Sequence, residues 1–78
     1  MRLEIVSHQV SFVGKFKEEQ KIEKALALLA DRMCIHSPAY FDNSYEPDDY
    51  YDLGFAYEQD DWTIENIKHF WREIKKSM

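Results

Sequence analysis

The sequence is poor in the residues that build cofactor and metal motifs. Its 78 residues include two glycines, two prolines and one cysteine. A single cysteine excludes an intramolecular disulfide and any cysteine-rich zinc module, and it favours a reducing compartment. Two isolated glycines exclude a glycine-rich phosphate loop. We therefore expect a protein without a cofactor.

Long apolar runs are also missing. No stretch approaches the roughly 18 consecutive apolar residues of a membrane-spanning helix. Residues 1–14 contain Arg2 and Glu4 among scattered apolar residues and no small-residue cleavage site, which argues against a secretory signal. The sequence therefore predicts a cytoplasmic protein that has no membrane partner.

Positive charge is absent from the middle of the chain. Residues 33–67 hold nine carboxylates and no lysine or arginine, interleaved with eight aromatic residues that include all five tyrosines. Residues 42–61 alone carry a net charge of −8 in a chain whose total is −5. Such a segment needs solvation by water or by a cationic partner, and it disfavours direct binding to nucleic acid.

The composition is that of one small folded domain spanning residues 1–78. Hydrophobic residues make up 45% and charged residues 32%, which is typical of a globular protein and not of a disordered chain. At this length we expect a single hydrophobic core with little stability to spare.

Hydrophobic periodicity predicts the elements in the first half. Residues 2–13 alternate with a phase shift, which indicates strand structure in one of two forms, a single strand with a bulge near Ser7 or a hairpin turning there, and the choice stays open. From Lys17 the period becomes helical, and Pro38 is expected to end that helix. Residues 37–49 have the composition of a long loop.

The second half predicts another strand and another helix. Residues 51–57 alternate, with Gly54 and Ala56 on a small face that something should cover closely. A helical pattern follows from Ile64 to Met78, and Asp61 is the expected N-cap. The predicted fold is α+β, approximately β-α-β-α, with two amphipathic helices on one face of a small sheet. A right-handed crossover would allow the two strands to pair in parallel, and an antiparallel sheet with a third short strand fits equally well.

Motifs for catalysis or metal binding are weak. An EF-hand loop beginning at Asp42 fails, because Pro47 stands where glycine is needed and Leu53 where the bidentate glutamate belongs. A looser divalent-cation site from Asp48, Asp49 and Asp52 stays an alternative. Cys34 and His36 match no zinc spacing, and we expect Cys34 to pack as a small apolar residue at the helix end. We predict no enzymatic activity and no metal.

A basic stripe lies in the last helix. We expect it to be a solvated face or an intramolecular partner of the acidic segment, because few charges are involved. Its members are Lys68, Arg72, Lys75 and Lys76.

The acidic aromatic segment 40–62 is the candidate binding surface. Carboxylates supply charge and association rate, and tyrosine and tryptophan supply rigid contact area. The predicted partner-binding residues are Tyr45, Glu46, Asp48, Asp49, Tyr50, Tyr51, Asp52 and Trp62. We predict a small inhibitor or regulator that docks on the basic surface of a nucleic-acid-binding protein. By analogy of size and charge, it is a nucleic-acid mimic of the kind found in phages and mobile elements.

Two alternatives belong to other classes. One is a structural subunit or homodimer that uses its aromatic residues to bury an exposed sheet face or edge. The other, weaker one is a metal-dependent enzyme, which divalent ions would stabilise against unfolding.

Overall fold

Four strands and two helices form two layers. The computed structural model describes residues 1–78, except for the side chain of Gln59. The strands are β1 (Arg2–Val6), β2 (Gln9–Gly14), β3 (Tyr40–Asp42) and β4 (Tyr51–Ala56), and the helices are α1 (Glu19–Arg32) and α2 (Ile64–Ser77). All neighbouring strands are antiparallel, in the order β1-β2-β4-β3. Both helices pack on one face of the sheet, which confirms the predicted α+β fold, with four strands in place of two.

The first two strands form a hairpin, which decides between the two alternatives that the sequence left open. Val6 pairs with Gln9, and Ser7 adopts a positive φ of 52° in the two-residue connection between them. This conformation usually calls for glycine or asparagine, so the composition of the turn alone does not distinguish a hairpin from a bulge. The hairpin accounts for the phase shift, because each strand turns its own alternate residues toward the helices.

A third strand lies inside the predicted loop 37–49. Tyr40 pairs with Phe55 and Phe41 with Gly54, so β3 extends the sheet beyond β4. The loop prediction is therefore wrong for these residues. Three residues are too few to display the alternation that predicts a strand, so the sequence did not indicate one here. A 3₁₀ turn, Glu46–Asp48, follows before the chain enters β4.

Helix α1 ends through a Schellman motif, well before Pro38. The Ile35 N–H donates to the Ala30 carbonyl at 2.9 Å, and the Cys34 N–H donates to the Asp31 carbonyl at 3.1 Å. Cys34 takes the left-handed position, with φ of 59°, where glycine is usual. This conformation leaves the thiol exposed, so the prediction that Cys34 packs as a small apolar residue at the helix end is wrong.

Helix α2 begins two residues later than an N-cap at Asp61 would place it. Thr63 is the N-cap, and its side-chain oxygen accepts a hydrogen bond from the Asn66 N–H at 3.1 Å. Asp61 instead lies in a preceding 3₁₀ turn, Gln59–Asp61, so its predicted capping role is wrong. Among the described residues, neither helix is long and apolar enough to cross a membrane.

The central strand β4 is covered by the helices on one face and, around Gly54, by Phe41 on the other. Its Tyr51 and Phe55 side chains enter the core beneath the helices. On the opposite face, a Cβ added to Gly54 would lie 2.8 Å from Phe41 Cζ and 2.4 Å from the Val10 carbonyl oxygen. The predicted close cover is therefore confirmed at Gly54, where Phe41 provides it, and not at Ala56, which is exposed.

Replacing Gly54 tests this close approach. We expect Gly54→Ala to lower the free energy of unfolding by about 1–3 kcal/mol, because the backbone of β2 cannot move away without breaking the sheet. Urea unfolding followed by circular dichroism measures the change. Ala56→Ser, on the same face but exposed, is the control and should change stability by less than about 0.5 kcal/mol. Equal effects at the two positions would contradict the packing described.

Replacing Thr63 tests the start of α2. Thr63→Ala should cost about 1 kcal/mol of unfolding free energy, because one helix N–H loses its acceptor. Asp61→Ala should cost less than about 0.5 kcal/mol, since Asp61 is exposed outside the helix. Thermal unfolding of both variants compares them. A larger loss at Asp61 would restore the N-cap expected from the sequence.

Candidate functional site

Strand β4 divides the acidic segment into two separate surfaces. Residues 46–49 precede the strand and residues 58–61 follow it. A six-residue strand spans about 20 Å, so these acids lie at opposite ends of the sheet. The segment that is continuous in the sequence is therefore not one charged surface.

A closed turn of residues 45–50, here called the Tyr45–Tyr50 turn, lies at the first end. The Tyr45 N–H donates to the Tyr50 carbonyl at 3.0 Å, and the Tyr50 N–H donates back at 3.2 Å. The two rings stack with centroids 6.0 Å apart and planes inclined by 27°. Tyr45 is 59% exposed. The turn therefore presents a large ring in a fixed position.

The carboxylates of the turn differ in their roles. Asp49 has a positive φ of 53°, and its Oδ1 accepts a hydrogen bond from the Phe16 N–H at 3.3 Å, which ties the turn to the start of the first helical segment. Glu46 and Asp48 are exposed and form no ion pair or side-chain hydrogen bond within the described structure. These two carboxylates are available to a partner.

Asp52 lies beneath the turn, on the sheet face that carries no helix. It is 9% exposed, and its Oδ2 accepts a hydrogen bond from the Tyr50 hydroxyl at 3.2 Å. Its Oδ1 is enclosed and has no hydrogen-bond partner among the described residues. Burial of a carboxylate oxygen without a donor is costly. A hydrogen-bond donor that reached this oxygen would therefore satisfy it.

Tyr50 connects the exposed ring to this buried charge. Burial raises the pKa of the Tyr50 phenol, and the Asp52 charge and hydrogen bond raise it further. The phenol is therefore held in the protonated form that donates to Asp52. Tyr45 stacks on a ring that is itself fixed by a hydrogen bond.

Tyr51 points the other way, into the core. It is 5% exposed, its hydroxyl donates to Glu23 Oε1 on α1 at 3.2 Å, and its ring packs edge-on against Phe16. Burial raises the Tyr51 pKa far above its ordinary value, with a smaller contribution from Glu23. Adjacent strand residues face opposite sides of a sheet, so Tyr50 and Tyr51 cannot serve one surface.

Trp62 lies at the far end of β4. Its half-buried ring packs edge-on against Phe70, with centroids 5.3 Å apart. It lines an open cavity of about 320 Å³ together with the exposed Cys34 and with Asp61. Trp62 therefore belongs to a different region from the Tyr45–Tyr50 turn.

The structure thus brings together six of the eight predicted partner-binding residues. The turn contributes Tyr45, Glu46, Asp48, Asp49 and Tyr50, and Asp52 lies below it. Phe41 joins them on the same open face, although nothing in the sequence distinguished it from the other aromatic residues of the segment. Its place could have been inferred only by recognising β3.

Comparisons with family models, curated proteins and solved structures find no match. Function is therefore inferred from the geometry and chemistry of this surface.

The carboxylates do not converge on a metal. Among the described residues, no group of three or more histidine, cysteine, aspartate or glutamate side chains is placed to hold an ion. Of the three aspartates named as a looser cation site, Asp49 accepts a hydrogen bond from the Phe16 N–H, and Asp52 accepts one from the Tyr50 hydroxyl.

The buried Tyr51 predicts a loss of stability at high pH. A phenol whose folded-state pKa is raised stabilises the fold fully below its unfolded pKa of about 10, and this contribution is lost as the pH rises above that value. Tyr51→Phe should therefore reduce the fall in unfolding free energy above pH 10 by up to about 1.4 kcal/mol per pH unit. Urea titrations at pH 9, 10 and 11 measure the slope, and identical slopes in both proteins would contradict burial of the Tyr51 phenol.

Proposed function

We propose that this protein is a small non-enzymatic binding module whose Tyr45–Tyr50 turn docks on a basic surface of another protein. One observation carries the proposal: an exposed Tyr45 ring is held in place by Tyr50, directly beside two unpaired carboxylates. A preformed contact surface loses little conformational entropy on binding, and this favours a specific complex.

The roles of the residues follow from their surroundings. Tyr45 is the anchor that a partner pocket would bury, since large aromatic side chains dominate binding energy. Glu46 and Asp48 guide the approach of a cationic surface and set its salt dependence. The enclosed charge of Asp52 adds attraction for an arginine or lysine that reaches the open sheet face.

A nucleic-acid-binding protein is the partner class that this surface suits best. Such proteins carry clustered lysine and arginine that contact phosphates, and carboxylates on a rigid turn can take the place of those phosphates. On this proposal the module blocks or regulates nucleic-acid binding, and nucleic acid competes with it for the partner.

Affinity capture with matched charge variants tests the proposal. The protein is immobilised, exposed to lysate of its source cell and eluted with a salt gradient. Glu46→Gln/Asp48→Asn should lose the captured protein at moderate salt, and Tyr45→Ala should lose it as well. Each variant changes side chains that are exposed in the free protein and that would contact the partner in the complex. Addition of DNA or RNA should release the partner.

The control variant makes the same change of charge elsewhere. Glu58→Gln/Asp60→Asn neutralises two exposed acids at the other end of β4 and should retain the partner. Loss of capture in both double variants would attribute binding to net charge and would refute the specific role of the turn. A partner that nucleic acid does not displace would refute the mimic.

The open sheet face favours a second candidate, a homodimer. On this face Val6 is 67% exposed, Ala56 is exposed, and Phe41 is half-buried. Two copies could cover each other there. Sedimentation velocity would then show a concentration-dependent dimer that Val6→Asp dissociates, and the capture experiment would recover only the protein itself.

A further inference from the structure

Strand β1 forms an uncovered edge of the sheet. It pairs only with β2 in the strand order, and beside it lies a groove of about 410 Å³ between β1 and α2. The groove is lined by Met1, Arg2, Leu3, Lys68, Trp71, Arg72 and Lys75. An open edge with a groove alongside is where extended peptides add to sheets.

The register shows which backbone groups of β1 point outward. The Tyr57 N–H donates to the His8 carbonyl at 2.8 Å, so the even-numbered residues of β2 bond to β4. The odd-numbered residues of β2 then bond to β1, and their partners are Arg2, Glu4 and Val6. The N–H and carbonyl groups of Leu3 and Ile5 therefore face outward from the edge.

The wall of the groove is basic. Lys68, Arg72 and Lys75 recur at the spacing of one helix face, and all three are exposed. No carboxylate belongs to the described lining of this groove. Lys75 Nζ lies 5.4 Å from the centre of the Trp71 ring, and Arg2 bonds to Glu4 on the strand itself. An intramolecular pairing with the acidic segment was one of two expectations for these cations. In the described structure, none of them forms an ion pair with that segment.

We propose that the β1 edge binds an extended acidic segment of another protein, which adds as an antiparallel fifth strand. Its backbone would pair with Leu3 and Ile5, and its alternate acidic side chains would face Lys68, Arg72 and Lys75. Charge complementarity selects this occupant, because the groove presents three helix cations beside an unpaired edge. The site is independent of the Tyr45–Tyr50 turn and goes beyond the proposed function.

The charges disfavour a second copy as the occupant. If the β1 strands of two copies paired in antiparallel, the basic α2 faces of both copies would approach the new interface, and their like charges would repel. The chain's own exposed acids Glu46, Asp48, Asp60 and Asp61 lie in 3₁₀ turns and not in an extended segment. An acidic strand from a different protein meets neither obstacle.

A synthetic peptide of alternating aspartate and valine, eight residues long and blocked at both ends, is the probe. At low salt it should bind the whole protein, and hydrogen exchange measured by NMR should slow at the Leu3 and Ile5 amides. Directly opposed residues of antiparallel strands face the same side, so the aspartates that face α2 are also the residues that bond to Leu3 and Ile5. N-methylation of the aspartates should therefore abolish binding, whereas N-methylation of the valines should preserve it.

Charge variants of the protein test the wall. Lys68→Gln/Arg72→Gln/Lys75→Gln should weaken peptide binding about tenfold, as three exposed charge pairs would. Lys17→Gln/Lys24→Gln/Arg32→Gln removes the same charge from exposed positions outside the groove and should have little effect. Circular dichroism confirms that each variant is folded.

Each remaining outcome overturns the proposal. Equal binding of the two N-methylated peptides would indicate attraction without strand pairing. Protection of Leu3 and Ile5 in the protein alone, rising with its concentration, would show that a second copy occupies the edge. Absence of binding at millimolar peptide would mean that the cations beside β1 only prevent other strands from pairing with this edge and do not bind an acidic one.

Discussion

The structure depends on the burial of β4 on both faces. Tyr51 and Phe55 pack under the helices, while Phe41 closes over Gly54 on the opposite side at a distance that leaves no room for a Cβ. Because β4 pairs with both β2 and β3, it fixes the sheet order and the position of each connection. Displacement of this strand would disturb the core and the open face together.

This constraint also decides how charge is distributed. The strand carries the chain across the sheet, so the acids before it and after it are held about 20 Å apart. Only the first group lies beside a fixed aromatic pair, Tyr45 and Tyr50. The cations of α2 gather at the β1 edge instead. A small acidic protein thus has an acidic aromatic turn and a basic groove, each with its own chemistry.

The sequence predicts the fold layers and both helices, because α1 and α2 carry strong helical periodicity. Shorter features are less predictable. Ser7 turns the first hairpin with a positive φ but is not a glycine or asparagine, so composition alone does not decide between a hairpin and a bulged strand, and the three residues of β3 are too few to show alternation. Helix ends depend on single contacts, which is why Thr63 and not Asp61 begins α2.

The composition of the candidate site was predictable, but its division was not. Strand alternation separates the neighbours Tyr50 and Tyr51, and the length of β4 separates Trp62 from both.

The most direct measurement is a hydrogen-exchange map of the protein alone and in complex with the captured partner. We predict new protection confined to residues 44–52. Protection centred on residues 58–62, with none at the turn, would contradict the account.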